Sequence, residues 1–326
     1  MTGHDIIVIG ASAGGVETLS MLVAQFPEDL PATVFVVQHT SANAPGYLDR
    51  ILHRAGLLPV TVAQDGEPFQ RAHVYVAPPD YHLLVKQGYM RVTRGPRENR
   101  VRPAIDPLFR SAAAAYGARV VGVVLTGFQG DGTAGLLAVQ RCGGVTMVQH
   151  PEDALHPEMP LSALAHVEVD HCLPVSKMGE VLLRLTREAP AETPPIPQDI
   201  LAEVAIAENP ADAVTYEEEL GALVPVTCPE CGGPLWGLHT DRIQRYRCRL
   251  GHAFTAESLL TGQSAVIETA LWTAVRTMEE RARILTLLVH EKEGQKRNRI
   301  AERYAAEAAE LKTHAQHIRQ LLLSKL

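Results

Sequence analysis

The sequence predicts an α/β fold: a doubly wound, mostly parallel sheet with an inserted hairpin, then a small cysteine-bearing module and a C-terminal α-helical hairpin. Three observations predict it. From Asp5 to about Arg187, short β-branched runs alternate with helix-like stretches, the pattern of strands joined by crossover helices. Four of those runs are almost wholly apolar, as strands covered on both faces are. After residue 226 the chain changes to a cysteine-containing segment and then to two long stretches with helical periodicity.

In order, the strands are expected at Ile6–Ile9, Thr33–Gln38, His73–Ala77, Leu83–Lys86, Arg119–Thr126 and Gly144–Gln149, with a short one at His166–Asp170. Helices fill the stretches near 15–26, 45–56, 106–117 and 132–141. In HLLVKQGYMRVTRG, Gln87-Gly88 separates two alternating runs and marks a hairpin. The proline-rich EAPAETPPIPQD (Glu188–Asp199) ends the last helix and reads as a linker. From Glu188 to Glu219 there are acidic residues and no lysine or arginine, so this stretch reads as a solvated acidic spacer with at most one helix. Leu271, Val275, Met278, Ala282, Leu285 and Val289 step by four and three, and Ile300, Tyr304, Ala308, Leu311, Ala315, Ile318 and Leu322 do nearly the same. Each set places one apolar stripe on a helix, and the polar EKEGQKRNR around Gly294 permits a hairpin. The stripes either pack on each other or support a homo-oligomer through the C-terminal helices. The division expected is 1–187, 188–226, 227–262 and 263–326.

Composition narrows the function. The 326 residues are 46% hydrophobic, enough for a sizeable core. A net charge of −7 argues against a nucleic-acid partner. No basic leader precedes the early apolar run, and no apolar stretch approaches the roughly 20 residues of a spanning helix. Five unevenly spaced cysteines do not make a secreted disulfide framework. A soluble, cytoplasmic chain without membrane insertion is expected.

The stretch DIIVIGASAGG contains Gly10-Ala11-Ser12-Ala13-Gly14, a serine on a sharp strand-to-helix turn. Three readings compete. A dinucleotide phosphate loop needs glycine at Ser12 and an acidic residue after the second strand, where the chain has Gln38-His39-Thr40; both requirements fail. A plain helix N-cap is the second. The third is a nucleophile. His39 follows the second strand, and Asp131, in LTGFQGDGTAG, follows another. Carboxyl ends of parallel strands share one rim, so Ser12 would attack, His39 would take its proton, and Asp131 would orient the imidazole. His53, His73 and His82 fall in helix or strand runs and read as structural. His150 is a weaker rival to His39, and Asp65 reads as a turn residue.

IGASAGG, VVQHT, AQDGE, VYVAPPD, GPRENRVRPAIDPLF and VVLTGFQGDGTAG, in this order, resemble the catalytic domain of the chemotaxis protein-glutamate methylesterase (CheB) family over residues 5 to about 187. The resemblance implies hydrolysis of glutamate methyl esters on chemoreceptor-type proteins, and often deamidation of glutamine, with no catalytic cofactor. It places the catalytic serine, histidine and aspartate on Ser12, His39 and Asp131, and the backbone oxyanion donors on Ala13 and Phe128. Thr40 and Phe128 stand where the family usually has methionine, which alters the pocket wall. The first strand leaves no room before it for the family's usual phosphoacceptor domain, so control by one in cis is not expected. Asn99, Arg100 and Arg102 read either as a solvated loop or as substrate-binding residues for an acidic receptor segment, and the resemblance favours binding. A non-catalytic receptor or signalling scaffold, and an esterase for a different acyl group, are the competing functions.

Cys228-x-x-Cys231, then Cys248 and His252, have spacings that suit a structural tetrahedral zinc held by two knuckles. A zinc-ribbon-like module is expected at 227–262. His239 is a rival ligand, a reducible Cys228–Cys231 pair is the competing reading, and Cys142 and Cys172 read as ordinary thiols.

Overall fold

The computed structural model describes residues 3–209, 221–239, 242–292 and 299–325. Seven strands form one sheet: β1 (Ile6–Ala11), β2 (Thr33–Gln38), β3 (Val60–Val62), β4 (His73–Val76), β7 (Val120–Val124), β8 (Val145–Gln149) and β9 (His171–Leu173), in the order β3-β4-β2-β1-β7-β8-β9. Every pairing in it is parallel. β5 (His82–Lys86) and β6 (Tyr89–Thr93) make the hairpin around Gln87-Gly88, as a two-stranded sheet of their own.

Period-two alternation splits β1 between two cores. Ile6 and Val8 face Phe35, Val120 and Val148, together with helices α3 (Ile105–Tyr116), α4 (Thr133–Arg141) and α5 (Glu158–His166). Ile7 and Ile9 face Val34, Val36, Val121 and Met147, with α1 (Gly15–Val23), α2 (Leu48–Ala55) and α6 (Val175–Leu185). Each fully buried side chain of this size contributes about 1.5–3 kcal/mol. The chain leaves β1 for one face through α1 and leaves β7 for the other through α4. The crossovers therefore reverse beside β1, the position at which open α/β sheets bind ligands.

Two expectations about strands change. The last strand is His171–Leu173, because His166 ends α5. The three-residue edge strand β3 is an addition.

The acidic spacer is also corrected in part. Helix α7 (Gln198–Glu208) buries Ile200, Ala202, Glu203, Val204, Ile206 and Ala207 instead of lying in solvent. Residues 210–220 lie outside the described residues. Strands β10 (Ala222–Thr227), β11 (Pro234–His239), β12 (Gln244–Cys248) and β13 (Ala253–Thr255) form an antiparallel four-stranded sheet. Residues up to Leu259 make one compact unit. The boundary expected at 187 is thus not a boundary between compact units.

A buried ionic cluster is one reason. Glu203 of α7 accepts from Arg245 at 2.7 and 2.8 Å and from Arg247 at 2.7 Å. Glu98 accepts from Arg247 at 3.1 Å and from Arg110 of α3. All five side chains are buried. Burial alone would push both carboxyls up, but the guanidiniums outweigh it and hold Glu98 and Glu203 below the usual carboxylate range.

Residues 260–326 form a second unit. It consists of most of α8 (Ala256–Lys292) and of α9 (Arg299–Lys325). The expected stripes pack on each other: Val275 with Ala315 and Leu322, and Ala282 and Leu285 with Ala308. The pairing is antiparallel, and Arg281–Glu307 and Arg319–Glu279 bridge it. The stripe offered for self-association is thus occupied within the hairpin. The break expected around Gly294 includes residues outside the described ones. Among the described residues, no helix is long and apolar enough to cross a membrane.

Candidate active site

Ser12 directly follows β1. Its N–H donates to Thr126 O at 2.9 Å, and its carbonyl accepts from Gln38 Nε2 at 2.7 Å. The N-cap of α1 is Gly14, at φ 73, with no side-chain cap. The left-handed turn belongs to the glycine, and the simple capping reading of Ser12 does not hold. On the other side Gly127 presses on the serine: a Cβ there would come within 2.6 Å of Ser12 Cβ and would also overlap Met159. Sequence reasoning passed over Gly127, although the glycine in Leu-Thr-Gly was its signal.

His39 directly follows β2, with its N–H bonded to Ala11 O at 2.9 Å. Ser12 and His39 are therefore on adjoining strand ends. His39 Nε2 and Asp131 Oδ2 are 2.7 Å apart. Among the described residues no hydrogen bond joins the Ser12 hydroxyl to His39; such bonds are often long before substrate binds. With Nε2 engaged by Asp131, Nδ1 is the ring nitrogen left to serve Ser12.

Asp131 is buried and accepts four hydrogen bonds. Oδ2 takes His39 and the Ile105 N–H at 2.7 Å each, and Oδ1 takes Asn99 Nδ2 at 2.9 Å and the Asp106 N–H at 3.4 Å. Two of these donors are first-turn amides of α3, where a helix favours negative charge. Burial would raise this carboxyl, but His39, the Ile105 amide and Asn99 outweigh it and bring it down to about 2. Its neighbour Asp106 accepts from Gly132 and Gly135 amides at 3.0 and 2.6 Å and from Asn99 Nδ2 at 3.0 Å. Burial, then the charge of Asp131, push Asp106 up to about 7.

The candidate oxyanion donors stand beside Ser12. Neither the Ala13 nor the Phe128 N–H donates to a protein acceptor among the described residues. The Phe128 ring is half exposed and lies 4.2 Å from the His156 ring. A groove of about 230 Å³ opens beside His39, lined by Thr40, Tyr47, Leu48, Ile51 and Pro79 among others.

The three residues offered for substrate binding separate. Asn99 is buried under Thr255 and Ser258, which excludes direct contact with a receptor segment. Arg102 is paired with Asp80 at 2.6 Å and with Gly95 O. Arg100, at φ 69, has no ion-pair partner among the described residues. Of the other histidines, His73 is tied to Thr61 and buried His82 to Pro96 O and the Ala104 N–H. His53 is exposed on α2, and His150 Nδ1 accepts from the Glu152 N–H within its own turn. Asp65 accepts from Arg91 and the Val92 N–H.

This rim and the sheet beneath it match a known family: the CheB methylesterase description fits residues 7–182, more than half of the chain. The chain belongs to the CheB methylesterase family. A relative from Leptospira interrogans is 37% identical over 183 residues, covering 56% of this chain and 95% of that protein. Protein-glutamate methylesterase/protein-glutamine glutaminase 2 of Anaeromyxobacter dehalogenans is 36% identical over 183 residues, 56% of this chain and 54% of that protein. The crystal structure of the Thermotoga maritima CheB methylesterase catalytic domain, 34% identical, superposes with a TM-score of 0.54 over 57% of this chain and all of that one. The family match ends at residue 182, before α7 and the C-terminal sheet.

The second cluster is in that sheet. One ligand atom each from Cys228, Cys231, Cys248 and His252 lie within 4.8 Å of one another. Cys231 Sγ is 3.7 Å from Cys248 Sγ, and His252 Nδ1 is 3.4 Å from Cys248 Sγ and 3.8 Å from Cys228 Sγ. A tetrahedral zinc, with Zn–S of about 2.3 Å and Zn–N of about 2.0 Å, spaces its ligands by about 3.5–3.8 Å. The donor set fits that ion. The His239 side chain lies outside the described residues. Buried Cys142 and half-buried Cys172 are free thiols raised by burial, Cys142 to about 11.

Proposed function

We propose that this chain is a cytoplasmic serine esterase that removes methyl groups from glutamate side chains of chemoreceptor-type proteins and deamidates glutamine at related positions. The carrying observation is the 2.7 Å contact of His39 with a buried, ionised Asp131, beside Ser12 on the next strand end. His39 Nδ1 takes the Ser12 proton as Oγ attacks the ester carbonyl. The oxyanion is met by the Ala13 and Phe128 amides, each donor of this kind contributing about 10²–10³ in rate. The proton then passes from His39 to the leaving methoxide, and methanol departs. Water, deprotonated by His39, opens the acyl-enzyme to glutamate and restores Ser12. Arg100 is the cation available to an acidic receptor segment. Cys228, Cys231, Cys248 and His252 hold a structural zinc; four protein ligands close the tetrahedron, so the ion supplies folding energy and takes no part in ester chemistry.

The test is methanol release from a methylated receptor, with labelling of Ser12 by a serine-reactive phosphonate. Ser12→Ala is expected to cut release by about 10³-fold or more and to abolish labelling. Equal release from both proteins overturns the reading.

A further inference from the structure

We propose that the segment Ala253–Ser258 is a working part of the esterase site: Thr255 and Ser258 hold Asn99, and Asn99 is the positioning residue for Asp131. The inference rests on the esterase reading above.

Every hydrogen-bonding position of the Asn99 amide is taken. Nδ2 donates to Asp131 Oδ1 at 2.9 Å and to Asp106 Oδ2 at 3.0 Å. Oδ1 accepts from the Thr255 N–H and from Ser258 Oγ, both at 3.0 Å. A side-chain amide has two donor hydrogens and an oxygen with two lone pairs, so this arrangement saturates it. Its orientation is not arbitrary. A backbone N–H only donates, so the atom facing Thr255 is the oxygen, and the NH2 faces the carboxylates. The torsion that turns a terminal amide is soft and roughly two-fold. Asp131, ionised and acceptor-only, selects the NH2 on its side, and Thr255 and Ser258 hold the oxygen on the other; the turned amide sets oxygen against Asp131 and an NH2 against the Thr255 N–H.

The holding groups are themselves fixed. Thr255 precedes α8, and its Oγ1 accepts from the Ser258 N–H at 3.2 Å, an N-cap closing the first turn. Ala253 O accepts from the Asn99 N–H at 2.8 Å, and Ala253 lies alongside Glu98 as a parallel bridge. Glu98 is in turn held by Arg110 and Arg247. Asn99 and Arg100 are both left-handed, at φ 50 and 69, a conformation asparagine tolerates better than most residues. The C-terminal sheet thus reaches His39 through two side chains: Asn99 to Asp131, and Asp131 to His39.

The experiment uses the full chain, wild type, Ser258→Ala and Asn99→Asp. It reads kcat and KM for methanol release, the rate of Ser12 labelling by the phosphonate, and the unfolding midpoint. Ser258→Ala removes the hydroxyl that donates to Asn99 and also contacts Thr255; kcat and labelling rate are expected to fall about fivefold at unchanged KM, with at most a small shift of the midpoint. Asn99→Asp keeps the shape and the acceptor for Thr255 but puts a carboxylate oxygen against Asp131; a fall of about 100-fold is expected, again in kcat. If Asn99→Asp does not fold, Ser258→Ala carries the test alone. Labelling of both variants at the wild-type rate overturns the brace and leaves the esterase standing. A raised KM with unchanged kcat also overturns it, since it assigns Asn99 to substrate binding. A wild-type chain that neither labels nor releases methanol removes the esterase and the brace together.

Discussion

The seven-stranded sheet and the four-stranded sheet solve the same problem by opposite means. The first is sandwiched between two apolar cores drawn from strands that include β1, β2, β7 and β8 and from seven helices. The second has a small core of Cys228, Leu235, Cys248, Phe254 and Leu259 and two buried arginines on β12. A large core fixes most of its rim through its own packing. A small one relies on cross-links, here an ionic cluster and, in the reading proposed above, a metal held by the Cys/His tetrad. The difference teaches that the smaller sheet is stabilised by what it touches, and the same contacts reach the rim of the larger one.

Metal removal cuts this comparison most deeply. Structural zinc contributes about 10 kcal/mol or more to modules of this kind. Chelation, or Cys248→Ser, is expected to release zinc and open the region 221–259 to limited proteolysis while residues 3–185 stay protected. Protection of both regions after metal loss removes the metal from the account.

Charge in the interior gives the next effect. Glu203→Gln leaves Arg245 and Arg247 short of their shared carboxylate, and urea unfolding of the full chain is expected to lose about 3–5 kcal/mol. The exposed pair Arg184–Glu188, at 3.3 Å, supplies the contrast: Glu188→Gln is expected to cost about 0.5 kcal/mol or less. Equal losses erase the distinction between the buried cluster and an ordinary surface pair.

A pH effect sharpens the rim itself. Asp106 is raised from 3.8 to about 7 in the folded chain, so the native state binds its proton more tightly than the unfolded state does. Its contribution to stability is full below pH 3.8 and is lost as pH rises through about 7. Asp106→Asn is expected to flatten the fall in unfolding free energy over that window, whatever its absolute stability. An unchanged slope assigns the pH dependence to another group.

Much of the fold was legible because its signals are local. Ile6–Ile9 and Thr33–Gln38 are apolar runs with no other good use, and the residues that follow them, Ser12 and His39, were legible as rim residues for the same reason. What escaped the sequence depends on partners far along the chain. Glu203 looked solvated because its neighbours are acidic or apolar, while Arg245 and Arg247 lie some 40 residues on. Asn99 looked like a surface residue between Glu98 and Arg100, since neither Asp131 nor Ser258 is near it in sequence. The last strand lies later than the sequence suggests: His166-Val167-Glu168-Val169-Asp170 alternates well, yet its first residue closes a helix.

The order in which these groups leave a ribosome gives the brace a temporal meaning. A nascent chain that has emerged only as far as the acidic segment already carries its hydroxyl, imidazole and carboxylate, but not the two residues that fix the amide between them. Translation therefore delivers the reactive groups first and the residues that hold the Asn99 amide last.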